Sequence, residues 1–146
     1  MGVFRNGRYK GGAIADLVEG VTTLDKMKFR TRHEADADGK LIKVEARLIL
    51  DGGAYESSSN AVIANAAYFA VGPYKCDNVS VDAVAVRTNN PPSGAMRGFG
   101  GVQTAFAHEA QMDRLAAELG MDPLEIRHRN ALGHGDNMNT SGQLIE

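Results

Sequence analysis

From Lys28 the chain alternates with a period of two: Phe29, Thr31 and His33 stand against Lys28, Arg30 and Arg32, and later Val44, Ala46, Leu48 and Leu50 stand against Lys43, Glu45 and Arg47. Successive side chains of a strand point to opposite faces, so the pattern predicts two half-buried strands. Asp38-Gly39 lies between them. An Asp-Gly pair flanked by alternating runs signals a hairpin, because both turn positions tolerate positive φ. Residues 28–50 are therefore expected to form an antiparallel hairpin, ended by Asp51-Gly52-Gly53. Ser57 to Asn60 offer hydroxyl and amide N-cap candidates for the alanine-rich run from Ala61 to Val71, which reads as a buried helix over about residues 57–71. Gly72-Pro73 stops it. Val79 to Thr88 is β-branched enough for a third strand, over 79–88, and the prolines of Asn89-Asn90-Pro91-Pro92 then impose a loop.

Past Gly101, the apolar residues Val102, Phe106, Ala110, Leu115, Ala116 and Leu119 recur at helical intervals opposite Gln103, Glu109, Asp113 and Glu118. That spacing predicts an amphipathic helix over 101–119, ended by Gly120. A last helix, over about 123–132, is expected to start with Asp122 as cap, Pro123 in the first helical position and Glu125 closing a capping box, with Gly133 as its stop. Residues 1–27 are glycine-rich, with turn signals at Asn6-Gly7 and Gly11-Gly12 and a weak helical patch at Ala13 to Glu19; they stay unassigned. The fold class is α+β: a small antiparallel sheet, made of hairpin 28–50 plus strand 79–88, packed with helices at about 57–71, 101–119 and 123–132.

Composition narrows the function classes. The chain has 146 residues, 43% of them hydrophobic, and a formal net charge of −2, which suits one globular domain. Sixteen basic residues against eighteen acidic ones form no single-sign run, so no nucleic-acid or anionic-membrane partner is expected. Met1 to Lys10 lacks the apolar core of a secretory signal, and Ala61 to Val71 is far shorter than the ~20 residues of a membrane helix. Cytoplasmic localisation is the expectation. Cys76 is the single cysteine and reads as a packed or surface residue. His33, His108, His128 and His134 share no spacing that would place two on one helix face, so each reads as a surface residue and no metal ligand is assigned.

The chemistry-bearing stretch is Ser93-Gly94-Ala95-Met96-Arg97-Gly98-Phe99-Gly100-Gly101, between a strand and a helix start. Glycines let backbone N–H groups approach a ligand, a helix N-terminus offers unpaired donors and partial positive charge, and Arg97 adds a cation. Together they suit a phosphate-bearing cofactor. Phe99, flanked by glycines, would stand out from the loop as a flat wall for a planar ligand. The plainer reading is that the glycines shape a tight turn and that Arg97 pairs with a surface carboxylate.

A longer series of motifs resembles the molybdenum-binding large subunit of the xanthine dehydrogenase and aldehyde oxidase family. It runs through Asp38-Gly39-Lys40-Leu41, Leu50-Asp51-Gly52-Gly53-Ala54-Tyr55 and Gly72-Pro73-Tyr74-Lys75 to Ala95-Met96-Arg97-Gly98-Phe99-Gly100-Gly101-Val102-Gln103. It continues through Glu109, Met112-Asp113, Leu115-Ala116, Leu119-Gly120, Asp122-Pro123-Leu124-Glu125, Arg127 and Asn130-Ala131-Leu132 to Gly135-Asp136. Residues 28–146 would then be a fragment of the molybdenum-cofactor-binding domain. The resemblance implies that Arg97 contacts the molybdopterin cofactor, that Gly98, Gly100 and Gly101 shape its loop, and that Phe99 borders the substrate. It further implies a parent oxidoreductase that hydroxylates N-heterocycles or aldehydes with an oxygen derived from water. Iron-sulfur clusters and FAD would sit on partner domains or subunits.

The sequence departs from that family in two places. The general-base glutamate of full subunits lies in a Gly-x-Gly-Glu setting that does not occur here, so no catalytic residue is assigned and the isolated chain is expected to be inactive. Purine-oxidising relatives carry a substrate-binding arginine nine residues before the tyrosine matched by Tyr74. Here that position is Asn65, which the resemblance makes a substrate-binding residue, but its neutral amide lacks the charge and fork of arginine, so xanthine itself is not implied as substrate. A non-enzymatic binding or assembly module that keeps the scaffold is the alternative. The partners implied are the remaining parts of the large subunit and the iron-sulfur and flavin subunits, with a homo-oligomer expected for the isolated chain.

Overall fold

A computed structural model describes residues 26–146 in full and, before them, the backbone of Val3–Arg5, Arg8–Lys10 and Ile14–Leu24. The elements are β1 (Val3–Arg5), β2 (Arg8–Lys10), β3 (Ile14–Leu24), β4 (Met27–Asp36), β5 (Leu41–Gly53), α1 (Ser59–Tyr68), β6 (Asn78–Arg87), α2 (Gly101–Leu119) and α3 (Pro123–Asn130). Strands β1 and β2 pair with each other, and the main sheet has the order β3-β4-β5-β6. Helix α2 lies over β3 and β4, and α1 over β5 and β6. This is the expected α+β layering.

Alternation places the strands as read: Phe29, Thr31 and His33 of β4 and Val44, Ala46, Leu48 and Leu50 of β5 are buried under the helices. The opposite face is charged and carries the pairs Arg32–Glu45, Lys43–Glu45 and Arg47–Asp82. The turn is wider than a two-residue loop. Only Gly39 of the Asp-Gly pair has positive φ, at 79°. Asp36 Oδ1 accepts from the N–H groups of Asp38 and Lys40, so the aspartate before the turn organises it.

The expectation of an all-antiparallel sheet is corrected. β6 runs parallel to β5, from Lys43 opposite Asn78 to Gly53 opposite Arg87. Parallel neighbours need a crossover, and α1 is that crossover, carried over the sheet between them. The weak helical patch expected over 13–19 is instead strand from Ile14 onward, where β3 pairs antiparallel along β4. Val18, Val21, Thr22 and Thr23 favour a pleat that a long partner strand can exploit. The turn signals at Asn6-Gly7 and Gly11-Gly12 fall outside the described residues.

Two apolar clusters make the core. One joins Met27, Phe29, Leu48, Leu50, Val62, Ile63 and Ala66; the other joins Leu41, Val44, Val71, Met112, Leu115 and Ile126. Thr31, His33, His108 and Gln111 are buried as well, and Gln111 Nε2 donates to Thr31 Oγ1 at 2.7 Å. The surface reading of His33 and His108 is thereby corrected. Burial, then the neighbouring His108, depresses the His33 pKa to about 3. His33 is a core residue held neutral.

Helix α2 is also rotated from its expected orientation. Its buried face is Gln103, Thr104, Ala107, His108, Gln111, Met112, Leu115 and Ala116, whereas Val102 and Phe106 are 49% and 55% exposed. Asp122 caps α3 as expected, its Oδ1 accepting from Leu124 and Glu125 N–H, and Glu125 pairs with Arg129. That helix ends at Asn130 instead of running to about Leu132. The buried Asn130 side chain accepts from Leu41 N–H and donates to Gly39 and Ile126 carbonyls, which binds the end of α3 to the hairpin turn.

Candidate cofactor-binding loop

The loop between β6 and α2 is anchored before it reaches its glycines. Asp51 accepts from the Thr88 hydroxyl, the Asn90 amide and Gly53 N–H, contacts that hold its carboxyl below the usual aspartate range. Ser93 Oγ donates to Asp51 O, and Ser93 N–H donates to Gly52 O. A side chain on Gly53 would meet Pro91 O at 2.5 Å, so the two segments touch through bare backbone. The sequence reading gave Asp51-Gly52-Gly53 only the role of ending the hairpin. Its second role rests on contacts about forty residues away, which no local pattern reveals.

Three consecutive residues of the loop have positive φ: Gly98 at 91°, Phe99 at 52° and Gly100 at 90°. The turn closes with Phe99 N–H donating to Met96 O and Gly101 N–H donating to Gly98 O, both at 2.9 Å. It lies flat on α1: a side chain on Gly100 would begin 2.6 Å from Val62 O. Asn65 of α1 donates through Nδ2 to Phe99 O at 2.8 Å and to Gly98 O at 3.4 Å. Phe99 is 39% exposed, so its ring does stand clear of the loop.

Helix α2 begins at Gly101 with Gly100 as N-cap, no side-chain cap and no acidic residue in its first turn. The Gly101 N–H is taken by Gly98 O, and the N–H groups that follow it in the first turn, with the partial positive charge of the helix start, have no side-chain cap. Arg97 is exposed, and among the described residues no carboxylate pairs with it. Beneath the loop, the buried atoms Ser59 Oγ and Gln103 Oε1 lack hydrogen-bond partners and border a cavity of about 40 Å³. An exposed guanidinium with no carboxylate partner among the described residues and a helix start without a side-chain cap are donors that suit a phosphate-bearing cofactor.

The family model described as molybdopterin cofactor-binding domain matches residues 20–131. This chain belongs to that family. The molybdopterin-binding domain is 46% identical over 131 residues to the nicotinate dehydrogenase large molybdopterin subunit of Eubacterium barkeri, a match covering 88% of this chain and 31% of that one. Among solved structures it resembles the aldehyde oxidoreductase of Desulfovibrio desulfuricans with a TM-score of 0.76 at 32% identity, covering 81% of this chain and 13% of the other. It also resembles quinoline 2-oxidoreductase of Pseudomonas putida with a TM-score of 0.74 at 33% identity, covering 82% and 16%. It thus corresponds to less than a third of the length of each of these proteins.

Other titratable groups lie away from the loop of the molybdopterin-binding domain. Tyr74 donates to Glu109 at 2.6 Å, and Glu109 and Asp113 hold Arg127, tying α3 to α2. Cys76 is buried, its thiol pKa raised by burial, with Sγ bonded to Asn78 O. Among the described residues no group of three or more His, Cys, Asp or Glu side chains could hold a metal, and no helix is long and apolar enough to cross a membrane.

Proposed function

We propose that this chain supplies the cofactor loop of a large-subunit molybdenum hydroxylase whose parent reaction is oxidative hydroxylation of an N-heterocycle or an aldehyde. The observation that carries the reading is the left-handed turn from Gly98 to Gly100, delivered into the start of α2, which has no side-chain cap, beside Arg97, which has no carboxylate partner among the described residues. In this reading Arg97 holds the cofactor by charge-assisted hydrogen bonds, while Gly98, Gly100 and Gly101 let backbone N–H groups reach it. Phe99 forms the wall against which a planar substrate lies. Molybdenum-molybdopterin, when bound, supplies the redox chemistry. This chain binds and orients, and the general base comes from elsewhere in the assembly.

The relatives' greater length supports partners: further segments of a large subunit, and iron-sulfur and flavin subunits that take the electrons onward. The outward Val102 and Phe106 would face such a segment, and in its absence would drive association between copies of the chain. A cytoplasmic setting suits this reading.

The test is the metal and pterin content of protein made in a cofactor-competent host together with the neighbouring gene products. Both are expected to copurify with the complex, and Arg97→Ala is expected to lower both several-fold while the complex still assembles. Equal cofactor content in the wild type and Arg97→Ala would remove the assignment.

A further inference from the structure

Asn65 sits in the middle of α1, where helix propensity gives an amide side chain no advantage. Its side chain instead serves the loop. A side-chain amide has two hydrogens, and here they face Phe99 O at 2.8 Å and Gly98 O at 3.4 Å. The short contact, to Phe99 O, commits the amide nitrogen to the loop. Phe99, meanwhile, holds a φ of 52°, which is costly for a bulky aromatic residue, whereas Gly98 and Gly100 adopt their positive φ freely. A strained residue persists only where its surroundings over-determine it. The two hydrogen bonds inside the turn close it on itself. Among the described residues, the Asn65 amide is the side-chain donor that fastens it to α1.

Resting on the cofactor-loop reading above, we infer that Asn65 is a positioning residue: it holds Phe99 in its left-handed conformation and so sets both the substrate-facing ring and the anion-facing N–H groups. It acts on substrate through Phe99, not by direct contact.

Amide hydrogen exchange on this chain, read by NMR, tests the inference. Asn65→Leu keeps the size and removes the donor. It is expected to accelerate exchange at Phe99 and Gly101 N–H at least tenfold and to shift the Phe99 ring resonances, while the Leu48 and Leu115 amides exchange as before. Asn65→Gln, which keeps the donor on a longer stem, is expected to restore part of the protection. Unchanged exchange at Phe99 and Gly101 would overturn the inference. So would acceleration spread evenly to Leu48 and Leu115, the mark of a general packing role. If Asn65→Leu does not fold, Asn65→Asp, of the same shape but without the donor at neutral pH, is read by the same two criteria. Titration with inorganic pyrophosphate, followed at the amides of 97–103, separates this inference from the cofactor reading. Binding at least fivefold weaker in Asn65→Leu supports the positioning role, and equal binding counts against it. A wild type that binds no pyrophosphate counts against the cofactor reading alone, since exchange still decides the role of Asn65.

Discussion

The Ala66 methyl lies 2.9 Å from where a side chain on Gly100 would begin, so α1 and the glycine loop meet at a contact with no room for another atom. Ala66 is fully buried and Gly100 has a φ of 90°. The small residues of α1 thus have a structural purpose: they let the loop lie on the helix and hold α2 in place behind it.

This contact can be tested from both sides. Gly100→Ala adds a methyl near Val62 O and demands a positive φ that alanine resists, with an expected cost on the order of 2–4 kcal/mol. Ala66→Leu overpacks the same seam and is expected to cost about 1–3 kcal/mol. Denaturant unfolding should show both as lower midpoints, and wild-type midpoints would mean that the loop is not seated on α1.

Asn130 concentrates three buried hydrogen bonds in one side chain, to Leu41 N–H, Gly39 O and Ile126 O. Asn130→Ala removes all three bonds, leaving Leu41 N–H and Gly39 O without this partner, and a loss of about 2–4 kcal/mol is expected. The loss should appear in thermal melts together with faster exchange in the turn around Gly39, because that side chain joins α3 to the hairpin.

Much of this architecture is legible in the sequence, for reasons that differ by element. The period-two alternation of β4 and β5 and the Asp122-Pro123 start of α3 are local signals, and the chain follows them. Strand direction is not local: Val79 to Arg87 reads as a strand either way, and only the crossover through α1 makes it parallel. The face of α2 escapes hydrophobic periodicity because Gln103, His108 and Gln111 are buried, while Val102 and Phe106 point outward. Hydrophobic periodicity assumes that apolar residues face their own core. At the site, the loop's residue types point to its chemistry. The links from Asn65 to Phe99 and from Asp51 to Thr88 and Asn90 span more than thirty residues and need the folded chain.

The buried histidines predict acid sensitivity. His33 has a folded pKa of about 3 against an ordinary 6.5, so the unfolded chain takes up the proton first. Stability is complete above about pH 6.5 and falls as pH drops toward 3, by roughly 1.4 kcal/mol per pH unit where only the unfolded state is protonated. Burial lowers His108 in the same sense. Asp51, Glu45 and Asp136, whose pKa values are also lowered, add their losses only below the carboxylate range. Denaturation between pH 6.5 and 4.5 therefore isolates the histidines. His33→Leu is expected to flatten the slope there, and an unchanged slope would place the sensitivity elsewhere.

The last expectation concerns the outward face of α2. Val102 and Phe106 lie one helical turn apart, and the apolar surface continues through Phe99 and Phe69, each about 40% exposed. A chain that spans less than a third of its relatives' length has this face where a longer protein can cover it. Alone in water, it should cover the face with another copy of itself. Light scattering at micromolar concentration is expected to give a mass above that of the monomer. Phe106→Lys with Val102→Glu should return it to a folded monomer whose melting temperature no longer depends on protein concentration, because both side chains are half exposed on that face. Val84 and Val86, exposed on β6 at the edge of the sheet, provide the control. If Val84→Lys dissociates the assembly and the α2 changes do not, copies join through the sheet edge and the α2 face is not the site of association. A monomeric wild type that binds no hydrophobic dye would show that neither surface is adhesive, and the case for a covering segment over α2 would fall with it.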